Sequence, residues 1–209
     1  MRLKKTFFSY LIFLLVSIPA FSQNWDIDLL TSINHNESNF KNSFCNVMSQ
    51  SVIVFNIAAP LGVFSAGVIR QNKQLKVDAA YMVGGYIVST IVTQGLKVIT
   101  RRPRPYITYP DIIQRTNADG YSMPSGHTSS AFCTATSLSL LFPKWYVITP
   151  CYLYAASVGF ARMYQGVHYP TDVIVGAIVG AGSAWLAYKV EQWQEKKNGV
   201  KKAKNPAAL

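Results

Sequence analysis

Six uncharged, mostly apolar runs cover residues 6–25, 51–69, 79–96, 128–143, 145–161 and 173–188 of this 209-residue chain. A helix that crosses a bilayer needs roughly 17–25 such residues. Inside hydrocarbon a backbone must satisfy its own hydrogen bonds, which a helix does and an open sheet does not. Six blocks leave little room for a second domain, so the sequence predicts an all-α fold: one small polytopic bundle of transmembrane helices. Half of the residues are hydrophobic and only 14% are charged, against about 25% in soluble domains. That apolar content excludes disorder, and its arrival in blocks argues against a simple soluble globule.

Residues 1–22 have the layout of a signal peptide. Arg2, Lys4 and Lys5 precede an apolar run from Phe7 to Ala20, with small residues at Ala20 and Ser22. Cleavage after Ser22 would leave Gln23 at the terminus. The rival is an uncleaved first membrane helix, which makes six spans rather than five. Both readings put residue 26 outside the cytoplasm. Residues 23–50 are polar and mixed, with Ile27, Leu29, Leu30 and Ile33 at helical spacing. They read as an amphipathic segment at the outer surface, with a plain linker as the alternative. Five spans are expected near 51–69, 78–99, 126–143, 145–163 and 172–189, within a membrane domain of residues 51–190; a basic cytoplasmic tail, 191–209, follows. The last three apolar cores are short and borrow polar residues at one end.

The net charge of +11 raises the possibility of a nucleic-acid partner, but the basic residues flank apolar blocks and no nucleic-acid-binding pattern appears. With residue 26 outside, Arg70, Lys73, Lys76, Lys144 and the tail lysines Lys189, Lys196, Lys197, Lys201, Lys202 and Lys204 fall inside, as the positive-inside rule requires. The outer loop 100–125 breaks the rule with Arg101, Arg102, Arg104 and Arg115. An anionic ligand is the simplest cause. Cys133 and Cys151 lie in apolar blocks, and Cys45 has no obvious partner, so neither a disulfide framework nor a cysteine metal site is implied.

Three clusters end up at the outer face. Lys97 to Pro105 closes the second span, Pro124-Ser125-Gly126-His127 opens the third, and Arg162 to Asp172 joins the fourth to the fifth. Lys97, Arg104 and Arg162 supply cationic donors, and guanidinium matches phosphate oxygens in bidentate geometry. Ser125 and Gly126 open a helix, where free N–H groups and the helix dipole attract an oxyanion. Asp172, four residues after His168, can hold one imidazole nitrogen and leave the other as nucleophile. His127 sits beside the Ser-Gly turn. Taken singly, Lys97 reads as a snorkelling helix-end lysine, Ser125 as a helix cap and Asp172 as a first-turn acid. Two histidines converging with three cations and one carboxylate outweigh those readings. Arg101 and Arg102 are read as outer-surface charge, and His35 is given no specific role.

Taken together the clusters resemble the type 2 phosphatidic acid phosphatase family, whose signature is Lys, six residues, Arg-Pro; then Pro-Ser-Gly-His; then Ser-Arg, five residues, His, three residues, Asp. The matching residues are Lys97, Arg104 and Pro105; Pro124, Ser125, Gly126 and His127; and Arg162, His168 and Asp172. One departure is Ala161, where the family has Ser. The resemblance spans residues 50–190. It implies a phosphatase that needs no metal or cofactor and works through a phosphohistidine. His168 is then the nucleophile, Asp172 orients it, and His127 protonates the leaving oxygen and later activates water. Lys97, Arg104, Ser125, Gly126 and Arg162 hold the phosphoryl oxygens. The scarcity of acids in the clusters agrees, since a two-metal site needs several carboxylate or His ligands. Related vanadium haloperoxidases share the clusters, but membrane helices favour a lipid substrate.

The expected function is therefore an integral membrane lipid phosphate phosphatase in the cytoplasmic (inner) membrane, with its site on the periplasmic face. Its partners are the bilayer and a phosphorylated lipid: lipid A, undecaprenyl diphosphate, phosphatidylglycerol phosphate or phosphatidic acid. No nucleic acid or protein partner is implied. A lipid phosphotransferase using the same intermediate and a non-catalytic anionic-lipid binder or transporter are the alternatives. The loop 105–123 is expected at the head-group entrance, with Tyr106, Tyr109 and Tyr121 at the interface.

Overall fold

The computed structural model describes residues 23–197; the expected signal peptide and the end of the basic tail lie outside the described residues. Seven helices follow in order: α1 (Gln23–Asn34), α2 (Asn39–Ile69), α3 (Lys73–Thr100), α4 (Pro105–Thr108), α5 (Gly126–Leu141), α6 (Trp145–Tyr164) and α7 (Pro170–Lys197). No strand occurs among the described residues, and the fold is the expected all-α bundle. Polar caps set two of the starts. The Ser38 side chain accepts from the Lys41 N–H, and Asn72 accepts from Gln74 and Leu75.

Two boundaries differ from the sequence reading. Residues 39–50, assigned to the amphipathic segment, are the first turns of the 31-residue α2, because Ser38 caps the helix before the apolar run begins. At the other end α7 continues to Lys197, well into the segment assigned to the tail. The short amphipathic helix is α1 alone, and it is docked rather than loose. Leu30 is fully buried and packs with Ile112 and Tyr169.

The bundle is inverted relative to a soluble protein. On α2, Ile53, Ile57, Leu61, Phe64 and Val68 form an exposed stripe, and Ile87 and Ile91 on α3 and Ile174 and Ile178 on α7 do the same. Hydroxyl and charged groups lie inside. Three stretches, Asn39–Ile69, Lys73–Thr108 and Pro170–Lys197, are long and apolar enough to cross a membrane by length and composition. Neither α5 nor α6 is among them. The 16 residues of α5 span about 24 Å, less than a hydrocarbon core of about 30 Å. The packing explains why its apolar core is short: α5 is the central helix, touching α2, α3, α6 and α7, so little of it meets lipid. Its small and hydroxylated residues bond across to its neighbours. Ser129 pairs with Ser89 and Thr93, Thr134 donates to Asn56, and Thr136 meets the Tyr152 hydroxyl. Small residues and hydroxyl bonds of this kind replace the hydrophobic effect between helices in lipid.

Close approach of α7 to α5 sets the height of the site. A Cβ on Gly176 would lie 2.7 Å from the Ser125 carbonyl oxygen, and one on Gly180 would overlap the Ser129 carbonyl. The two glycines, one turn apart, let the α7 backbone lie against α5. That contact brings the first turn of α7 to the first turn of α5, where the Asp172 carbonyl accepts from the Ser125 N–H at 3.0 Å.

Candidate active site

The helices alternate in direction. The C-terminal end of α3, the N-terminal end of α5, the C-terminal end of α6 and the N-terminal end of α7 therefore meet at one end of the bundle. Each end carries part of a cluster: Lys97 on α3, His127 on α5, Arg162 on α6, Asp172 on α7, and Arg104 and His168 on the loops between. His127 lies within electrostatic reach of Arg162, His168, Arg104 and Lys97. The three sequence clusters thus converge on one site.

His168 is buried, 2% exposed, and held from two sides. Its Nδ1 faces Asp172 Oδ2 at 3.5 Å, and its Nε2 lies 3.4 Å from Arg104 Nη1. A guanidinium only donates. The Nε2 opposite it therefore carries the lone pair, and the ring proton sits on Nδ1 toward the carboxylate. Burial pushes the imidazole down to about 4, with Asp172 opposing that shift and Arg162 and Arg104 adding to it. The ring is neutral at physiological pH, with the Nε2 lone pair facing Arg104.

The phosphate-binding candidates are preorganised by backbone. Arg104 donates to the carbonyls of Gly120, Val167 and Asp119 at 3.0, 2.9 and 2.6 Å, which fix the plane of its fork. Lys97 donates to the Tyr121 carbonyl and, at 3.5 Å, to that of Ser122. Arg162 Nη1 donates to Ser49 Oγ at 2.6 Å and to Gln165 Oε1 at 2.9 Å; its buried Nε has no hydrogen-bond partner among the described residues. Ser125 accepts from the Thr128 hydroxyl at 2.9 Å, which leaves its own proton to donate. The Ser125 N–H is taken by the Asp172 carbonyl, so the oxyanion nest starts one residue later than expected, at the first-turn N–H groups of α5. A Cβ on Gly126 would meet only Thr93 Cγ2, at 3.8 Å; the protein's own packing does not require glycine there.

Arg102 is not surface charge. Its Nη1 donates to Asp172 Oδ1 at 2.8 Å and to Thr171 Oγ1 at 2.6 Å, and its Nη2 pairs with Asp26 Oδ2 at 2.6 Å. The guanidinium carbon lies 3.7 Å above the Tyr169 ring. Arg115, another of the four outer arginines, donates to the Tyr164 carbonyl, pairs with Glu37 at 3.8 Å and covers the Tyr164 ring. The positive excess of this loop is thus partly answered by acids from residues 26–37, and Arg104 faces the site. Arg101 is exposed and closes α3 in the left-handed region, φ 47°, as surface charge should.

Sequence reasoning missed Arg102, Asp26, Ser49 and Gln165. Asp26 and Ser49 sit in stretches with no local pattern, and pairing across 76 or 113 positions leaves no signal in a single sequence. Two loop tyrosines also depart from expectation. Tyr106 donates to the Ala118 carbonyl, Tyr109 meets the Tyr169 ring edge-on, and both pack under α1; Tyr121 is exposed. His35 is a tie, its Nε2 2.8 Å from the Asp111 carbonyl. Three acids do gather within 4.8 Å, Asp78, Glu191 and Glu195, but at the opposite end of the bundle, around the Gln74 amide.

An apolar groove of about 560 Å³ runs between α2 and α3, past Leu61, Phe64 and Val83. A smaller cleft of about 210 Å³ shares Ile53, Asn56 and Tyr86 with it and reaches His127 and Gly126.

Residues 78–196 match the profile of the PAP2 superfamily. The chain belongs to the PAP2 superfamily. It is a multi-pass membrane lipid phosphatase of that family. It is 26% identical over 171 residues to the undecaprenyl-diphosphatase of Sulfolobus acidocaldarius, covering 80% of this chain and 79% of that one. It is 28% identical over 180 residues to the lipid A 4'-phosphatase of Bacteroides thetaiotaomicron, covering 80% and 77%. Among solved structures it resembles Aquifex aeolicus LpxE, with TM-score 0.65, 28% identity and 79% and 95% of the two chains covered. The PAP2-type phosphatidylglycerolphosphate phosphatase of Bacillus subtilis shares the fold, with TM-score 0.71 at 20% identity over 90% and 94%. Asp26 and Ser49 lie before the stretch that matches the PAP2 profile.

Proposed function

We propose that this PAP2 phosphatase hydrolyses a phosphomonoester or diphosphate of an envelope lipid at the periplasmic face of the inner membrane, through a phosphohistidine on His168. The observation that carries the reading is the buried imidazole set between Asp172 and Arg104, with Nδ1 3.5 Å from Asp172 Oδ2 and Nε2 3.4 Å from Arg104 Nη1. The Nε2 lone pair attacks phosphorus and the P–O bond to the lipid breaks. His127, charged once the phosphate anion offsets the cations around it, gives its proton to the departing oxygen. His127, now neutral, takes a proton from water, whose oxygen attacks phosphorus; the P–N bond breaks and inorganic phosphate leaves. Asp172 stabilises the positive imidazole while the P–N bond exists. Lys97, Arg104, Arg162, the Ser125 hydroxyl and the first-turn N–H groups at Gly126 hold the equatorial oxygens, where charge develops.

The groove between α2 and α3 supports a lipid substrate. Its apolar length suits a hydrocarbon chain, and the smaller cleft that shares Ile53, Asn56 and Tyr86 with it reaches His127, which would bring a phosphoester toward the acid. The test uses purified full-length protein in detergent micelles with phosphatidic acid, phosphatidylglycerol phosphate, lipid A and undecaprenyl diphosphate as candidates. Phosphate release should persist in EDTA, and His168→Ala should lower kcat by roughly a thousandfold or more. Activity that vanishes with EDTA, or survives in His168→Ala, contradicts the reading.

A further inference from the structure

We infer that α1 is a working part of the active site: Asp26 and Arg102 form a charge relay that positions Asp172 and sets how strongly its carboxylate acts on His168. The inference rests on the nucleophile assignment above.

The geometry is that of one guanidinium shared between two carboxylates. Arg102 gives Nη1 to Asp172 Oδ1 at 2.8 Å and Nη2 to Asp26 Oδ2 at 2.6 Å. Asp26 also accepts the Thr171 N–H at 2.8 Å and the Thr171 hydroxyl at 2.5 Å, so it grips the residue next to Asp172 as well as the arginine. The other oxygen of Asp172 takes the Tyr169 N–H at 2.9 Å and faces His168. Both carboxylates are almost wholly buried, 1% and 0% exposed. A buried carboxylate without a partner is costly, whereas one with each oxygen engaged is fixed in rotation. Arg102 therefore pins the plane of Asp172 and draws off part of its charge. Asp26 in turn draws off part of the charge of Arg102. Arg102 and Asp26 touch neither His168 nor the phosphate-binding donors by any observed contact, so both are positioning residues. The acid comes from α1, a helix that lies before the stretch matched by the PAP2 profile.

The relay makes two predictions of opposite sign. His168 is faced by Asp172 on α7, Arg162 on α6, Arg104 before α4 and His127 on α5. Replacing Arg102 by Gln leaves the Asp172 charge undivided on His168. The imidazole then holds its proton more tightly, and the acid limb of kcat/KM moves to higher pH. Replacing Asp26 by Asn leaves the Arg102 charge undivided on Asp172, and the limb moves to lower pH. Both should lower kcat with KM within about twofold, by roughly ten- to a hundredfold for Arg102→Gln and toward the low end for Asp26→Asn, the range seen when a histidine loses its outer partner. Arg102→Lys keeps the charge and should hold the limb near its wild-type position.

The experiment measures kcat, KM and pH profiles of full-length Arg102→Gln, Arg102→Lys and Asp26→Asn on a substrate accepted by the wild type, with thermal unfolding of each. Limbs displaced in opposite directions support the relay. Profiles that coincide with wild type, or move the same way in both variants, overturn it, whatever the stability does. Should Arg102→Gln fail to fold, the nearly isosteric Asp26→Asn decides by itself: an unmoved limb overturns the relay and a lowered one supports it. His168→Ala run alongside separates the two ideas. A dead His168→Ala with unmoved relay variants sinks the relay alone, and an active His168→Ala sinks the nucleophile.

Discussion

His168 carries the most information of any side chain here, because its environment fixes both its proton and its charge. Burial pushes it down to about 4 while Asp172 pulls the other way. As the proposed nucleophile it must be neutral, so activity should be retained well below neutrality and lost as pH falls through about 4. Asp172→Asn removes the group that favours the protonated ring. The acid limb of kcat/KM should therefore move to still lower pH while kcat drops, because the tautomer is no longer held. A pH profile in mixed micelles checks both. Much of this residue-level picture was legible in the sequence. Lys97, Arg104, Ser125, Gly126, His127, Arg162, His168 and Asp172 stand at helix ends, where short-range spacing reports position. Arg102 was not, since an arginine two residues from Arg104 looks identical whether it faces water or two buried acids.

Among the elements, the pairing of α5 with α7 decides whether a site exists. The α7 backbone lies against α5 at Gly176 and Gly180, and the contact ends in the bond from Ser125 N–H to the Asp172 carbonyl. Gly180→Val would drive a branched side chain into the Ser129 carbonyl and the Cys133 N–H. The expected cost is about 1–3 kcal/mol, the usual range for overpacking, with α7 displaced and kcat reduced as Asp172 leaves Ser125. Thermal unfolding in detergent alongside turnover measures both; an unchanged melting temperature would show that the contact is slack. The helical pattern predicted α7 as a span but could not identify which of its glycines face another backbone. The short apolar core of α5 is likewise explained by neighbours: a central helix shows little surface to lipid.

At the scale of the molecule, the exposed apolar stripes on α2, α3 and α7 suit a bilayer, and the basic residues at the end opposite the site support the proposed orientation. Trp145 and Trp193 are exposed at that basic end, with Lys197 over the Trp193 ring, as in an interfacial belt. Cysteine labelling tests the orientation. In a background with Cys45, Cys133 and Cys151 replaced, Ile113→Cys should react with an impermeant maleimide in intact spheroplasts. Trp145→Cys should react only after permeabilisation. The reverse pattern would put the site on the cytoplasmic face and the proposed substrate pool out of reach.

The fold class and the residues of the candidate site were both readable from the linear chain. Both depend on local quantities: runs long enough for a bilayer, charges beside their ends, and residue types at fixed helical or loop spacings. Tertiary structure alone decided that Arg102 belongs to the site, that Asp26 and Ser49 reach it from the first two helices, and that the Ser125 N–H is already occupied. Those contacts join residues dozens of positions apart. They arise from the packing of α1 and α7 against the loop ends, a geometry that no local pattern in one chain encodes.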